Sequence, residues 1–263
     1  MSLREIFYMP ELASAHGHEI DLLIYLVHFL MLALFVGWAI FFVVVLFRFN
    51  KWAHPKANYT GVTSHTSSYI EAAVAVIEVV LLVGFSLPFW SKQVNAFPNR
   101  PDAVEVRVVA EQFAWNVHYP GDDKTFGNTD WKYFDKQTNP LGLDPSDPNG
   151  KDDFTTINQL HLPIGRPAII HLSSKDVMHS FALPIMRVKQ DIIPGMSIPT
   201  WFTPTKSGKS EIACAQLCGI GHYYMRGTLV VHHEAEFKSW LAKNAKGGEG
   251  EGAEGGDFDD FWN

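Results

Sequence analysis

The chain has 263 residues, 47% of them hydrophobic and 19% charged, enough for one large domain or two small ones. Its 2 cysteines exclude a disulfide-stapled mini-protein and any four-cysteine zinc or iron–sulfur site built by this chain alone. A net charge of −7 argues against nucleic acid as a partner, which calls for a basic face.

A mean hydropathy of −0.01 averages unlike regions. Residues 1–21 form a leading segment with Arg4 as its one basic side chain, against Glu5, Glu11, Glu19 and Asp21. Residues 22–47 then carry no charged side chain. As a helix they reach about 39 Å, more than the ~30 Å hydrocarbon core of a bilayer. A buried core helix would not need such a length. A cleaved signal peptide would be shorter, with positive charge where Glu19 and Asp21 stand. Residues 72–90 form a second apolar run, interrupted by Glu78, with Pro88 near its end where a helix can stop. We therefore expect a transmembrane hairpin over residues 22–95. Its connecting loop, 48–68, holds Arg48, Lys51 and Lys56 and no acidic residue, so the positive-inside rule puts it in the cytoplasm and both termini outside. The lipid bilayer is the first expected partner.

From Val104 the pattern changes to strict alternation: Val104, Val106 and Val108 against Glu105 and Arg107. Further short β-rich runs fall at 167–172, 177–183, 198–202, 210–213 and 228–232, punctuated by Pro and Gly. The fold class expected is a membrane-anchored all-β protein, with a β-sandwich or barrel over residues 96–235. Within it, residues 121–156 hold eight aspartates and four lysines and read as a surface insertion. Residues 236–263 read as a short helix and a disordered acidic tail. The tail, from Gly247, has six acidic residues and no basic one.

Both cysteines lie in the run Cys214-x3-Cys218-x3-His222-x2-Met225, and His179 lies upstream near a strand end. Two thiolates, two imidazoles and a thioether are soft and borderline ligands that suit copper better than magnesium or calcium. One thiolate with two histidines and a weak Met makes a mononuclear blue-copper site. Two thiolates four residues apart can instead bridge two copper ions, each ending on one His. The alternatives are a Cys214–Cys218 disulfide, which persists outside the membrane, and a zinc site, for which Met is a poor ligand. A c-type haem needs Cys-x-x-Cys-His, which is absent.

This run, His179 and the two N-terminal apolar segments closely resemble cytochrome c oxidase subunit II of the kind that carries the dinuclear CuA centre. The resemblance covers roughly residues 20–235 and implies a cupredoxin domain on the outer face of the membrane. It implies that this domain takes electrons from a cytochrome c and passes them to haem in subunit I, where oxygen is reduced and protons are pumped. Subunit I and other oxidase subunits are then partners, and the chain has no open catalytic site of its own. By the resemblance Cys214 and Cys218 bridge the coppers, His179 and His222 each end one, and Met225 and the backbone carbonyl of Gln216 are the weak ligands.

Two departures matter. The family usually has Glu where Gln216 stands, and that side chain helps hold a magnesium ion at the subunit I interface. Gln216 keeps the carbonyl but is a neutral, poorer ligand for a hard cation, which tells against magnesium here. The family often reads Gln-Trp-Tyr-Trp where this chain has Gln112-Phe113-Ala114-Trp115. Phe113 then matches the electron-entry position, and Trp115 is either part of that region or a core residue. Asp122, Asp123, Asp152 and Asp153 are candidates for steering a basic cytochrome c, a salt-sensitive effect, or else belong to a solvated loop. Arg187 and Lys189 could meet haem propionates or be ordinary solvated charges.

A carboxylate inside a membrane helix is costly, which makes Glu78 a functional candidate. The family has a glutamate matching it near the cytoplasmic entry to a proton pathway, so Glu78 resembles a proton-entry group. The alternative is a carboxyl bonded to a neighbouring helix. His28 reads as an interhelical polar contact, and the histidines other than His28 and the ligand candidates His179 and His222 as structural or solvated. A copper-free quinol oxidase subunit lacks this ligand set. A membrane-tethered copper carrier would use an exchangeable single-copper site. The expected location is a prokaryotic inner membrane, resting on Gln216, Phe113 and the insertion, with the mitochondrial inner membrane as the alternative.

Overall fold

A computed structural model of the chain describes residues 3–56, 59–61, 63–136 and 138–245. The acidic tail expected after Gly247 lies outside them. The chain divides into two compact units. One holds the residues up to Ile6 and His18–Ala96, the other Phe7–Gly17 and the chain from Phe97 onward.

The helical unit contains a single turn, α1 (Leu3–Ile6), and the long α2 (Gly17–Arg48). After the basic loop come α3 (Thr66–Leu81), a π turn (Leu82–Ser86) and α4 (Leu87–Asn95). Both long apolar stretches are long enough to cross a membrane, and none of their most apolar windows is buried within the chain. Phe35, Trp38, Phe41 and Phe42 are all more than half exposed. A core helix would hide these rings, so the surface is one that lipid or other subunits must cover. His28 does not need a second helix for its expected polar contact: its Nδ1 lies 2.7 Å from the carbonyl of Ile24, one turn back in α2.

Pro88 does not stop the second helix, which continues to Asn95. The amide of Leu87 donates to the carbonyl of Leu82, five residues back, in place of the usual four. This widened turn absorbs the donor that proline lacks and relieves its clash with the preceding turn.

The described residues of the other unit form ten strands. In chain order these are β1 (Val104–Glu111), β2 (Ala114–Tyr119), β3 (Phe154–Ile157), β4 (Gln159–Pro163) and β5 (Ala168–Ser174). They continue with β6 (His179–Leu183), β7 (Val188–Ile192), β8 (Ile198–Phe202), β9 (Gly208–Cys214) and β10 (Arg226–His232). They form two five-stranded sheets, ordered β3-β2-β1-β5-β8 and β4-β10-β9-β6-β7. β1 runs parallel to β5, with Val108 opposite Leu172, and β10 runs parallel to β4. The alternation in β1 is what the sequence indicates: Val106, Val108 and Ala110 are fully buried, while Glu105, Arg107 and Glu111 are not. Their partners in the core include Trp115, Leu160, Ile170, Phe181, Ile212 and Leu229. The helix α5 (Glu234–Ala245) follows and sets Trp240 against Tyr119 and Phe154.

β2, β3, β4 and β7 escape the hydrophobic pattern. β2 hides its alternation because Asn116 and His118 are buried along with its apolar residues. Asn116 donates to the Val109 carbonyl and to Glu111, and His118 pairs with Asp153 at 2.7 Å. The polar stretch before β3 is held by its own aspartates. The side chains of Asp123, Asp130, Asp144 and Asp147 each accept from the backbone amide two residues on. Asp153 is not the exposed steering charge expected of it. Its side chain is fully buried, holding His118 and the Gly127 amide. Residues 154–156, expected within the insertion, lie in β3.

Residues 7–17 strap the same unit. Ala13 donates to Ile185 and Ala15 to Thr203, while Thr205 donates back to Ala13. Arg187, expected near propionates or in solvent, donates to the carbonyls of Pro10 and Pro184 at 2.8 and 2.7 Å. Lys189 pairs with Asp191.

Candidate metal centre

Sheet pairing assembles the site. β6 lies beside β9, with Phe181 opposite Cys214, so His179 at the start of β6 meets Cys214 at the end of β9. The chain then loops from Cys214 to Met225 and re-enters the sheet as β10, antiparallel to β9. The Ala215 amide donates to the Ser180 carbonyl and Cys214 to the Met225 carbonyl, closing the loop at its base.

All six sequence-named donors converge there. The Cys214 and Cys218 sulfurs are 3.8 Å apart. The Cys214 sulfur lies 3.9 Å from His179 Nδ1 and 3.2 Å from the Gln216 carbonyl. The Cys218 sulfur lies 3.7 Å from both His222 Nδ1 and Met225 Sδ. A disulfide needs about 2.05 Å, and both cysteines are free. His179, Cys218 and Met225 are buried, so the donors face one another out of water.

Two thiolate charges this close oppose one another. Burial pushes both thiols up. At Cys214 the bonds from His179 and the backbone prevail and bring it down to about 6. At Cys218 the nearby charge of Cys214 adds to burial and drives it up to about 11. A cation between the sulfurs removes that conflict, because thiolates deprotonate on metal binding. The soft donor set and these separations therefore fit a copper ion or ions.

Two residues that the ligand pattern does not reveal orient this set. Asp176 Oδ1 sits 2.9 Å from His179 Nε2, leaving Nδ1 to face the sulfur. The other Asp176 oxygen accepts from the Gln112 amide at 2.7 Å. Gln112 Nε2 in turn donates to the Cys218 carbonyl at 2.7 Å. Burial works against a charged His179, but its contacts with Cys214 and Asp176 outweigh that and hold the imidazole above its ordinary range. The only signal in the sequence is an acid three residues before the histidine.

Phe113 packs directly on the loop, with its ring 5.6 Å from that of Tyr224. Trp115 is fully buried, 6.3 Å from the His179 ring and 5.7 Å from Phe181. Glu78 belongs to the helical unit, where its carboxyl has no partner among the described residues of this chain.

The family described as cytochrome c oxidase subunit II, periplasmic domain, matches residues 104–233, which contain every one of these donors. The alternative cytochrome c oxidase subunit 2 of Bradyrhizobium diazoefficiens is 33% identical over 208 residues, covering 79% of this chain and 73% of the relative. The chain belongs to the cytochrome c oxidase subunit 2 family. The cytochrome c oxidase subunit 2 of Cereibacter sphaeroides is 29% identical over 224 residues, 79% of this chain and 71% of that protein. The crystal structure of the periplasmic domain of subunit II of cytochrome oxidase from Bradyrhizobium japonicum covers 55% of this chain and 94% of its own, at 29% identity and a TM-score of 0.41. The resemblance carried by the copper run is thus borne out. Like the fold expected of this family, the chain has two apolar helices and a β domain that fit a membrane-anchored protein. Its group of His179, Cys214 and Cys218 fits a CuA-type copper site.

Proposed function

We propose that this chain is the electron-accepting subunit of a haem-copper terminal oxidase. It takes electrons from a cytochrome c at a dinuclear copper centre and relays them to haem in subunit I, where oxygen is reduced and protons are pumped. The convergence of His179, Cys214, Gln216, Cys218, His222 and Met225 on one point carries this reading.

Cys214 and Cys218 would bridge the two ions, with His179 and His222 as terminal ligands and Met225 and the Gln216 carbonyl as weak ones. A pair of copper ions held by two shared thiolates supplies one-electron transfer with little change in bond length. The chain's own residues supply the rest. Asp176 and Gln112 fix the His179 ring and the Cys218 backbone, so the donors need not reorganise. Trp115, Phe181 and Met225 keep water away, while the exposed Tyr223, Leu217 and Ile220 present the loop to a partner. Phe113, packed against that loop, marks the electron-entry region. Gln216 offers no anionic oxygen, so magnesium is not part of this reading.

The copper-bearing unit and both termini would lie on the outer side of a prokaryotic inner membrane, with loop 48–68 in the cytoplasm. Glu78 would then deliver protons towards subunit I. In the assembled oxidase, Glu78→Gln is expected to slow reduction-linked proton uptake while leaving the copper spectrum unchanged. Unchanged proton uptake would end that role.

The decisive test is copper stoichiometry and electron paramagnetic resonance on the full-length chain in detergent. Two copper ions per chain, with hyperfine structure from one electron shared equally by both nuclei, is the expected result. A single copper with a mononuclear pattern would overturn the relay reading and favour a carrier or blue-copper protein.

A further inference from the structure

A cavity of about 540 Å³ opens on the outer face of the first sheet, roofed by the acidic insertion. Arg107 and Ser173, from β1 and β5, line it with Ser197 and with Thr129, Trp131 and Phe134 of the insertion. The Arg107 guanidinium is half-buried and lies 4.1 Å from the centroid of the Phe126 ring. Among the described residues it has no hydrogen-bond acceptor, and the hydroxyls of Thr129, Ser173 and Ser197 have no partner. Burial disfavours its charge, which the carboxylate of Asp153 only partly supports. A guanidinium carries five donors, and those of Arg107 are open to the cavity and not sealed in the core.

The charges around it are already committed. His118 pairs with Asp153, His171 with Glu105 and Lys175 with Glu111. Asp130, the carboxylate on the cavity wall, is held by the Lys132 amide and ammonium. Glu105 has Arg100, Glu111 has Lys175 and Asp130 has Lys132, while Asp153, which supports the Arg107 charge, is bonded to His118. Opposite the polar floor, Trp131 and Phe134 stack with ring centroids 4.8 Å apart and an interplanar angle of 6°, beside Leu141.

We propose that this cavity binds a freely diffusing organic oxyanion, a carboxylate or phosphate carried on a flat, apolar body. Arg107 and the three hydroxyls take the oxyanion, in the geometry that suits guanidinium to carboxylate and phosphate. The Trp131–Phe134 stack and Leu141 hold the body. The volume lies in the range of small-molecule sites, roughly 300–1,000 Å³, and an inorganic ion alone would not fill it. The site is independent of the copper reading, since it shares none of the copper donors.

The test is a fluorescence titration of the full-length chain in detergent with 4-methylumbelliferyl phosphate. Neutral 4-methylumbelliferone and inorganic phosphate serve as comparison ligands. We expect saturable binding of the aryl phosphate, at least tenfold weaker binding of each comparison ligand, and at least tenfold weakening in Arg107→Gln. Arg107→Lys should recover part of the loss, and the thermal midpoint should hold in both variants. No saturable binding, or equal binding by Arg107→Gln, would overturn the site. Inorganic phosphate binding as tightly as the aryl phosphate would overturn the flat-body class. Should Arg107→Gln fail to fold, the double variant Ser173→Ala/Ser197→Ala decides. Weaker binding supports the site, and unaltered binding overturns it.

Discussion

Asp176 exerts its influence through His179. One of its oxygens faces His179 Nε2 and the other receives the Gln112 amide, so a single carboxylate ties the ring to the turn between β1 and β2 that carries Phe113. Partners of this kind fix the tautomer and orientation of a ligating histidine, and their loss typically weakens metal binding about 10–100-fold. We expect Asp176→Asn to lower copper affinity by that order, read by competition against a chelator. The thermal midpoint of the metal-free chain should move little, because Asp176 is partly exposed and outside the core cluster. The five side-chain donors were legible from ligand chemistry and spacing, and the Gln216 carbonyl from the family resemblance. Asp176 and Gln112 were not, because an outer partner has no fixed spacing from the residue it supports.

At the scale of the element, the copper loop depends on two glycines packed against Phe113. A Cβ on Gly221 would stand 2.4 Å from Phe113 Cδ2, too close for any real contact. Gly219 combines a φ of +135° with a Cβ position 2.7 Å from Gln112 Nε2. The loop therefore needs both residues small, and Gly219 also needs backbone freedom. We expect Gly221→Ala to destabilise the chain by about 1–3 kcal/mol, the usual range for overpacking. The thermal midpoint measures this, and trimming the ring with Phe113→Leu should recover part of the loss. The second long apolar helix teaches a related lesson. Pro88 marks a local break in the sequence, yet the π turn from Leu82 to Ser86 carries the helix through it. Whether a proline ends a helix depends on whether the preceding turn can widen.

The whole molecule responds to pH through a pair joined across β4 and β10. His161 Nδ1 and His232 Nε2 are 2.7 Å apart, and Trp240 of α5 stacks on His161 at 4.1 Å. Burial, then the charge of His232, holds His161 down at about 4, against an ordinary value of 6.5. Burial also lowers His232, although Glu236 works the other way. A depressed histidine is neutral in the folded state, whereas the unfolded chain takes up the proton first. Stability should therefore be full above about pH 6.5 and fall as pH drops towards about 4, by on the order of 2–3 kcal/mol from His161. Chemical denaturation at pH 7.5 and 4.5 measures the slope, and His161→Gln should flatten it.

Much of this molecule follows from the sequence alone. The length and apolarity of residues 22–47 and 72–90 fit a membrane-anchored protein, and both come straight from the sequence. The alternation in β1 and the spacing from Cys214 to Met225 depend only on strand period and ligand chemistry, both local properties. Other features required the tertiary structure. Asp153 reads as a surface charge until the fold buries it beside His118. Arg187 reads as a free cation until the strap of residues 7–17 brings it the Pro10 carbonyl. β2 reads as a mixed segment until its buried Asn116 and His118 find their partners. For Asp153, Arg187 and His118 the deciding partner lies far away in the chain, and for Asn116 it lies across the turn between two strands, so a polar residue's burial depends on whether the fold brings that partner within hydrogen-bonding distance.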